Sequence, residues 1–179
     1  MPFELIKSES LLRGRTFNVR RDYLKTPNGD KTQLEIIEHT GSVVLVPIDQ
    51  EGSLILVRQY RHAAKQDLLE LPAGTRHENE PYEECAAREL REETGMEAGQ
   101  LQKVGDFYLA PGYSTEFMAV FIATELRPNP LQADFDEFLE IEKIPMGEAA
   151  ELFQKGKVPD AKSLAAWLLA QPHLEKYLG

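Results

Sequence analysis

The sequence predicts an α/β protein, a mixed β-sheet with helices packed on its faces, preceded by a small β extension at the N-terminus. Three observations predict it. Apolar, β-branched runs such as SVVLVPID and SLILVRQY recur at strand length. One acidic segment with helical periodicity interrupts the strands, and two further helical patterns come at the end of the sequence. The order strands, helix, strands, helices suits a sheet covered by helices better than a bundle or an all-β barrel.

Each element has its own signal. The first forty residues alternate in polarity, and Pro27-Asn28-Gly29 marks a hairpin between two strand-like runs. This β-hairpin extension, residues 1–40, is too small to bury a core of its own, whereas 41–179 carries the main domain. GSVVLVP is apolar at nearly every position, as a strand buried on both faces should be. Asp49–Gly52, between it and SLILVRQY, reads as the turn of a second hairpin. After DLLELPAG, Pro81 is expected as a first helical residue and Gly95 as the residue past the last turn of a helix over about 81–94. VGDFYLAPG, EFMAVFIATEL and FLEIEKIP read as strands. MGEAAELFQKG and SLAAWLLAQPHLEKYL read as helices, with Trp167, Leu168 and Leu174 expected in the core.

Composition narrows the class. A chain of 179 residues with 42% hydrophobic and 28% charged residues suits one globular domain with a terminal extension, not a disordered polymer. A net charge of -10 and a pI near 4.9 argue against a nucleic-acid surface, since acidic faces repel phosphate backbones. An acidic protein that works on phosphates needs a cation to mediate the contact. Cys85 is the single cysteine, so neither an internal disulfide nor a thiolate metal site is supported, and its neighbours Glu84, Ala86 and Ala87 suggest an apolar filler on a helix. No apolar run approaches the roughly 20 residues of a membrane span. The stretch MPFELIKSESLLRGR lacks the apolar core of a secretory signal, so a cytoplasmic location is expected.

The acidic segment GTRHENEPYEECAARELREETGM raises the functional question. On a helical wheel of about 100° per residue, Ala86, Leu90 and Cys85 share the face of Tyr82. Glu89 and Glu93 fall within about 20° of Tyr82, in the middle of that apolar face, and Glu92 sits at its edge. Arg91 and Glu84 fall opposite, where solvated charges belong. Carboxylates four residues apart are surface neighbours that repel one another, and facing inward they also lose hydration. A cation between them resolves both problems. The donors are oxygens only, and His77 is the one nearby histidine, so Mg²⁺ is the expected ion, with Mn²⁺ as a substitute. A surface helix laced by Glu/Arg pairs is the alternative on these residues alone.

The same positions match the signature of the Nudix hydrolases, G-x5-E-x7-R-E-U-x-E-E-x-G-U with U a bulky apolar residue. Gly74, Glu80, Arg88, Glu89, Leu90, Glu92, Glu93, Gly95 and Met96 fill it without departure. The resemblance implies a Nudix-type α/β/α sandwich and hydrolysis of a nucleoside diphosphate linked to a further moiety. It implies divalent ions held by Glu89 and Glu93, often with Glu92, and by the backbone carbonyl of Ala73. It also gives Arg88 the task of orienting glutamates, with Glu80 as its support. Gly74 and Gly95 are read as turn glycines that supply backbone freedom.

Flanking residues resemble the ADP-ribose pyrophosphatase and nucleoside-diphosphate-sugar hydrolase subgroup: RQYR at 58–61, ELPAG at 70–74, Pro111 within LAPGYSTE, and DFDEFLEIEKIP at 134–145. By that resemblance Arg61 contacts substrate phosphate or ribose and Glu70 lies in the cleft. Pro111 shapes a loop against the substrate, and Glu116 lines the same cleft. Phe17 resembles an aromatic that stacks on the base, and Arg21 is placed to approach a phosphate. Glu137, in the loop that also holds Asp134 and Asp136, matches the family's general base and acts with Glu92 and Glu93. The N-terminal hairpin is expected to pair with a second subunit in a homodimer. No nucleic-acid or membrane partner is expected. A non-catalytic nucleotide-sugar sensor and a hydrolase of dinucleoside polyphosphates stand as the alternatives, although all three box carboxylates of a catalyst are present.

Overall fold

The structure, a computed structural model, describes residues 2–132 and 138–177. They fall into two units. The first comprises the chain through Gly41 together with Phe107–Phe117, and the second comprises Ser42–Asp106 and the chain from Met118 onward.

The first unit is built on an antiparallel sheet of β1 (Glu4–Arg13), β2 (Asn18–Lys25) and β3 (Lys31–Glu38), in that spatial order. The expected hairpin joins β2 to β3. Gly29 takes the left-handed backbone (φ 93°) that its turn demands, and Thr26 N–H closes the loop on the Asp30 carbonyl at 2.8 Å. β1 adds a third strand that the alternation did not resolve, and all ten of its residues are exposed. The segment 107–117 joins this unit through backbone bonds: Ile37 N–H donates to the Tyr113 carbonyl at 2.8 Å, and Thr115 N–H to the Ile37 carbonyl at 2.9 Å.

The second unit contains β4 (Ser42–Pro47), β5 (Ser53–Arg61), β6 (Gln66–Glu70), β7 (Ala73–Thr75), α1 (Tyr82–Thr94), most of β8 (Met96–Tyr108) and of β9 (Phe117–Pro128), β10 (Leu139–Pro145), α2 (Met146–Gln154) and α3 (Ala161–Leu174). One sheet has the order β7-β4-β9-β8 and is mixed, with β4 parallel to β9 and antiparallel to β7. The other has the order β10-β5-β6. β4 is buried throughout, as its uninterrupted apolar run requires. Its Val43 and Leu45 pack with Cys85, Ala86 and Leu90 of α1 and with Ala119 and Phe121 of β9. Each such fully buried aliphatic side chain contributes about 1.5–3 kcal/mol.

Two expectations are corrected here. The turn at Asp49–Gly52 forms, with Asp49 N–H on the Ser53 carbonyl at 3.0 Å, but β4 and β5 do not make a hairpin. β7 and β9 occupy the two edges of β4, so β5 pairs instead with β6 and β10, and only an isolated bridge joins Ile48 to Leu54. In α3, Trp167 stacks on Phe153 of α2 with ring centroids 4.5 Å apart, and Leu174 is buried as expected. Leu168 is 67% exposed, because one further residue rotates it about 100° away from the Trp167 face. Among the described residues no helix is long and apolar enough to cross a membrane.

Candidate active site

The acidic segment folds as β7, a loop and α1. The helix starts at Tyr82, one residue later than expected: Pro81 keeps an extended backbone (ψ 142°) and occupies the N-cap. At the other end Gly95 adopts the left-handed conformation (φ 70°) and returns its N–H to the Arg91 carbonyl at 3.2 Å. Between these ends the apolar face is as the wheel places it. Cys85, Ala86 and Leu90 are buried, and with them Glu89 at 6% and Glu93 at 5% exposure. Burial pushes the Cys85 thiol well above its usual range, in keeping with an inert filler. Glu84 is exposed as expected, whereas Arg91 is not simply solvated. Its Nε donates to the Asn129 carbonyl at 2.9 Å, because the chain leaving β9 crosses the C-terminal turn of α1.

Arg88 organises the carboxylates. Its Nε and Nη2 donate to Glu80 Oε1 and Oε2, each at 2.9 Å, while Nη1 donates to Glu89 Oε1 at 2.7 Å and to Glu92 Oε2 at 2.8 Å. Nη2 also reaches the Thr75 carbonyl at 3.1 Å, tying the guanidinium to β7. The Arg88 bonds are the main reason that the Glu80 carboxyl is held down to about 2, against the resistance of burial. The roles expected of Arg88 and Glu80 are thus present as contacts.

Gly74 does more than turn the chain. A Cβ at this position would lie 1.8 Å from the Glu89 carboxyl carbon and 2.0–2.2 Å from its oxygens. The residue is therefore a glycine so that the buried carboxylate can lie against its backbone, which replaces the conformational explanation expected for it. Next to it, Ala73 N–H donates to Glu93 Oε2 at 2.9 Å. The expected metal-binding positions Ala73, Glu89, Glu92 and Glu93 thus fall in one neighbourhood, with Glu92 at its more exposed side.

The strap from Glu70 to Ala73 connects β6 to β7 and is fixed at several points. Leu71 N–H donates to Ser163 Oγ at 2.8 Å, and the Pro72 carbonyl accepts from Leu45 N–H at 2.8 Å. Glu70 is 1% exposed and receives Arg61 along one edge, Nε on Oε1 at 2.8 Å and Nη2 on Oε2 at 2.6 Å. Lys162 Nζ also donates to Glu70 Oε2 and reaches Asp160 Oδ2 at 2.7 Å. Asp160 is the N-cap of α3, its Oδ2 accepting from Ser163 N–H at 3.0 Å and from Ser163 Oγ at 2.6 Å. Burial opposes its charge, but Lys162 and Ser163 outweigh that and keep its carboxyl below the usual range. Sequence reasoning missed Asp160, Lys162 and Ser163. Asp160 is legible as a cap, three residues before the apolar run, but its link to the strap is not.

The other expected residues lie in the first unit. Phe17 is exposed in the turn between β1 and β2, where its carbonyl accepts Gly14 N–H at 3.1 Å. Arg21 Nε donates to Glu35 Oε1 across the β2–β3 ladder at 2.8 Å. Pro111 sits exposed in a loop closed by Leu109 N–H on the Glu116 carbonyl at 3.1 Å. The Glu116 carboxylate lies 4.0 Å from His39 Nδ1. Glu137, Asp134 and Asp136 lie outside the described residues.

Whether a cation fits can be judged from the donors. Glu89 and Glu93 are buried oxygen donors, and Gly74 leaves room at Glu89 that any side chain would fill. Such a set suits a hard divalent ion and offers nothing to a thiophilic one. Among the described residues no three His, Cys, Asp or Glu side chains already converge on one point, since Arg88 draws Glu89 and Glu92 to itself.

A family model described as "NUDIX domain" matches residues 38–168. An ADP-ribose pyrophosphatase of Bacillus subtilis (strain 168) is 34% identical over 163 residues, covering 90% of this chain and 88% of that one. An ADP-ribose pyrophosphatase of Mycobacterium tuberculosis (strain ATCC 25618 / H37Rv) is 38% identical over 169 residues, covering 93% and 82%. A crystal structure of an ADP compounds hydrolase superposes with a TM-score of 0.86 at 27% identity, covering 98% of this chain and 96% of that one.

Proposed function

The chain belongs to the NUDIX domain family and is a Nudix hydrolase, and we propose that the bond it cleaves is the pyrophosphate of ADP-ribose or of a related nucleoside diphosphate sugar. The products are a nucleoside monophosphate and a sugar phosphate. The observation that carries this reading is the buried pair Glu89 and Glu93, lodged against the backbone at Gly74 and Ala73. Mg²⁺, or Mn²⁺ in its place, would be held by Glu89, Glu92, Glu93 and the Ala73 carbonyl, and when bound supplies charge neutralisation of the phosphate oxygens and a more acidic water.

The chain's own residues do the rest. Arg88 keeps Glu89 and Glu92 oriented through one nitrogen and is itself anchored by Glu80. Arg61 commits its Nε–Nη2 edge to Glu70 and offers Nη1 to a substrate phosphate. Glu137 accepts the proton of the attacking water. Leu131, six positions before it in the sequence, donates its N–H to the Arg91 carbonyl at 3.2 Å.

Phe17, Arg21, Pro111 and Glu116 are assigned to the nucleoside and sugar half of the substrate. A second copy of the chain completes this half in a homodimer. What supports that is the first unit's sheet, which leaves Leu5, Ile6, Leu11, Leu12 and Leu34 exposed. A monomeric mass by light scattering at micromolar concentration would rule the dimer out. Acidic substrates of this size and a buried single thiol suit a cytoplasmic enzyme.

The test is turnover of a panel of ADP-ribose, GDP-mannose, UDP-glucose and diadenosine polyphosphates with Mg²⁺ in ¹⁸O-labelled water. Turnover of ADP-ribose or a nucleotide sugar is expected, and the labelled product reports which phosphorus is attacked. Failure of every member, with Mn²⁺ as well, overturns the assignment.

A further inference from the structure

We propose that Lys162, anchored by Asp160 at the N-terminus of α3, is a positioning residue that holds Arg61 ready for the substrate's anionic group by sharing the charge of Glu70. The proposal rests on the reading of Arg61 as a phosphate-binding side chain. It starts from the burial of Glu70, a carboxylate 1% exposed whose two oxygens are both taken by one edge of Arg61. A guanidinium pinned along Nε and Nη2 presents its remaining edge at a fixed angle, which a flexible arginine does not. The Arg61 side chain keeps 40% exposure on which that edge can be offered.

A single ion pair would make this arrangement self-defeating. An anionic ligand that competes for Arg61 would leave Glu70 buried and unpaired, a state that buried carboxylates resist strongly. Lys162 removes the conflict. Its side chain is 13% exposed, and it donates to Glu70 Oε2 and to Asp160 Oδ2, so Glu70 keeps a counter-charge whatever Arg61 is holding. Asp160 in turn fixes Lys162 and, through Ser163 Oγ, the Leu71 N–H in the same strap. The charges alternate from Asp160 to Lys162 to Glu70 to Arg61, and the guanidinium at the end of the row feels the carboxylate of Glu93.

Lys162→Met removes the charge and keeps the length of the side chain. With the best substrate of the panel, KM should rise about tenfold while kcat stays within about twofold, and Lys162→Arg should restore KM to within about threefold. In an Arg61→Gln background the same Lys162→Met change should move KM by less than about twofold, because the two residues act as one unit. An unchanged KM, or a full additional tenfold rise in that background, overturns the proposal. A second readout is independent of catalysis: the ¹⁵N–¹H signal of Arg61 Nε–H, sharp and slow to exchange in the wild type, should broaden in Lys162→Met and stay sharp in Lys162→Arg. If the panel gives no turnover at all, the assigned reaction fails, and the Arg61 signal alone decides on Lys162, an unchanged signal sinking it. Lys162→Gln, which keeps a polar partner for Glu70 and Asp160, takes both measurements if the Met variant does not fold.

Discussion

Two clusters of ion pairs lie in the second unit, and they are centred on groups of opposite sign. Around Arg88 one guanidinium serves three carboxylates, Glu80, Glu89 and Glu92, with Glu93 buried beside them. Around Glu70 one carboxylate receives two cations, Arg61 and Lys162, and Asp160 balances the second. The first gathers carboxylates about one cation, and the second gathers cations about one carboxylate. A gathering of carboxylates suits a hard divalent cation, whereas a row of alternating charges fixes geometry. The difference matches the two proposed roles, a metal cradle at the first cluster and a phosphate-binding arginine at the second.

The largest test of that contrast is Glu93→Gln. It removes a buried carboxylate from the proposed metal site, so turnover should fall by about a thousandfold or more while the melting temperature holds or rises. Turnover near the wild-type level would remove Glu93 from the mechanism. Gly74→Ala comes next. Its methyl would occupy the space of the Glu89 carboxyl, and a loss of about a hundredfold in turnover is expected, together with weaker Mn²⁺ binding by electron paramagnetic resonance. Unaltered Mn²⁺ affinity would show that Glu89 can bind from another position.

Glu137→Gln tests the proposed base, which lies outside the described residues. Turnover should drop more than about tenfold with metal affinity barely changed, and near-normal turnover removes the residue from the mechanism. The smallest effect concerns the rim of the first cluster. The Glu80 carboxyl is held at about 2 against a usual 4.5, mainly by its bonds to Arg88. A lowered folded-state value means that its contribution is complete above pH 4.5 and is lost as the pH falls toward about 2. Glu80→Gln should melt about 2–4 °C below the wild type at neutral pH, and the gap should close over that acidic range. A gap that stays constant with pH would assign the loss to packing instead.

The cluster around Arg88 was legible in the sequence because Arg88, Glu89, Glu92 and Glu93 share one short helix. Periodicity alone places Glu89 and Glu93 among Cys85, Ala86 and Leu90, and burial bears this out. The cluster around Glu70 was not legible. Lys162 meets Glu70 across 92 residues of sequence, and no local pattern encodes such a meeting. Arg91 shows the same limit: the wheel sends it outward correctly, yet Asn129 arrives from β9 to cover it. Gly74 looked like a turn residue because the side chain that needs its bare backbone lies fifteen positions further on in the sequence. Strand positions were readable as apolar runs, but the parting of β4 from β5 depended on which strands claimed each edge.

The bond from Leu71 N–H to Ser163 Oγ carries a consequence for synthesis. The strap that bears Glu70 and Ala73 leaves the ribosome well before its anchor. With the partners 92 residues apart, on the order of ten seconds of elongation separate them. Over that interval β5 can already pair with β6, and β4 with β7, but the strap has no helix to rest on and the Glu70 carboxylate has no lysine. A nascent chain stalled before α3 would therefore hold the complete Nudix box and remain inactive, so the family signature is translated long before the enzyme it marks can work.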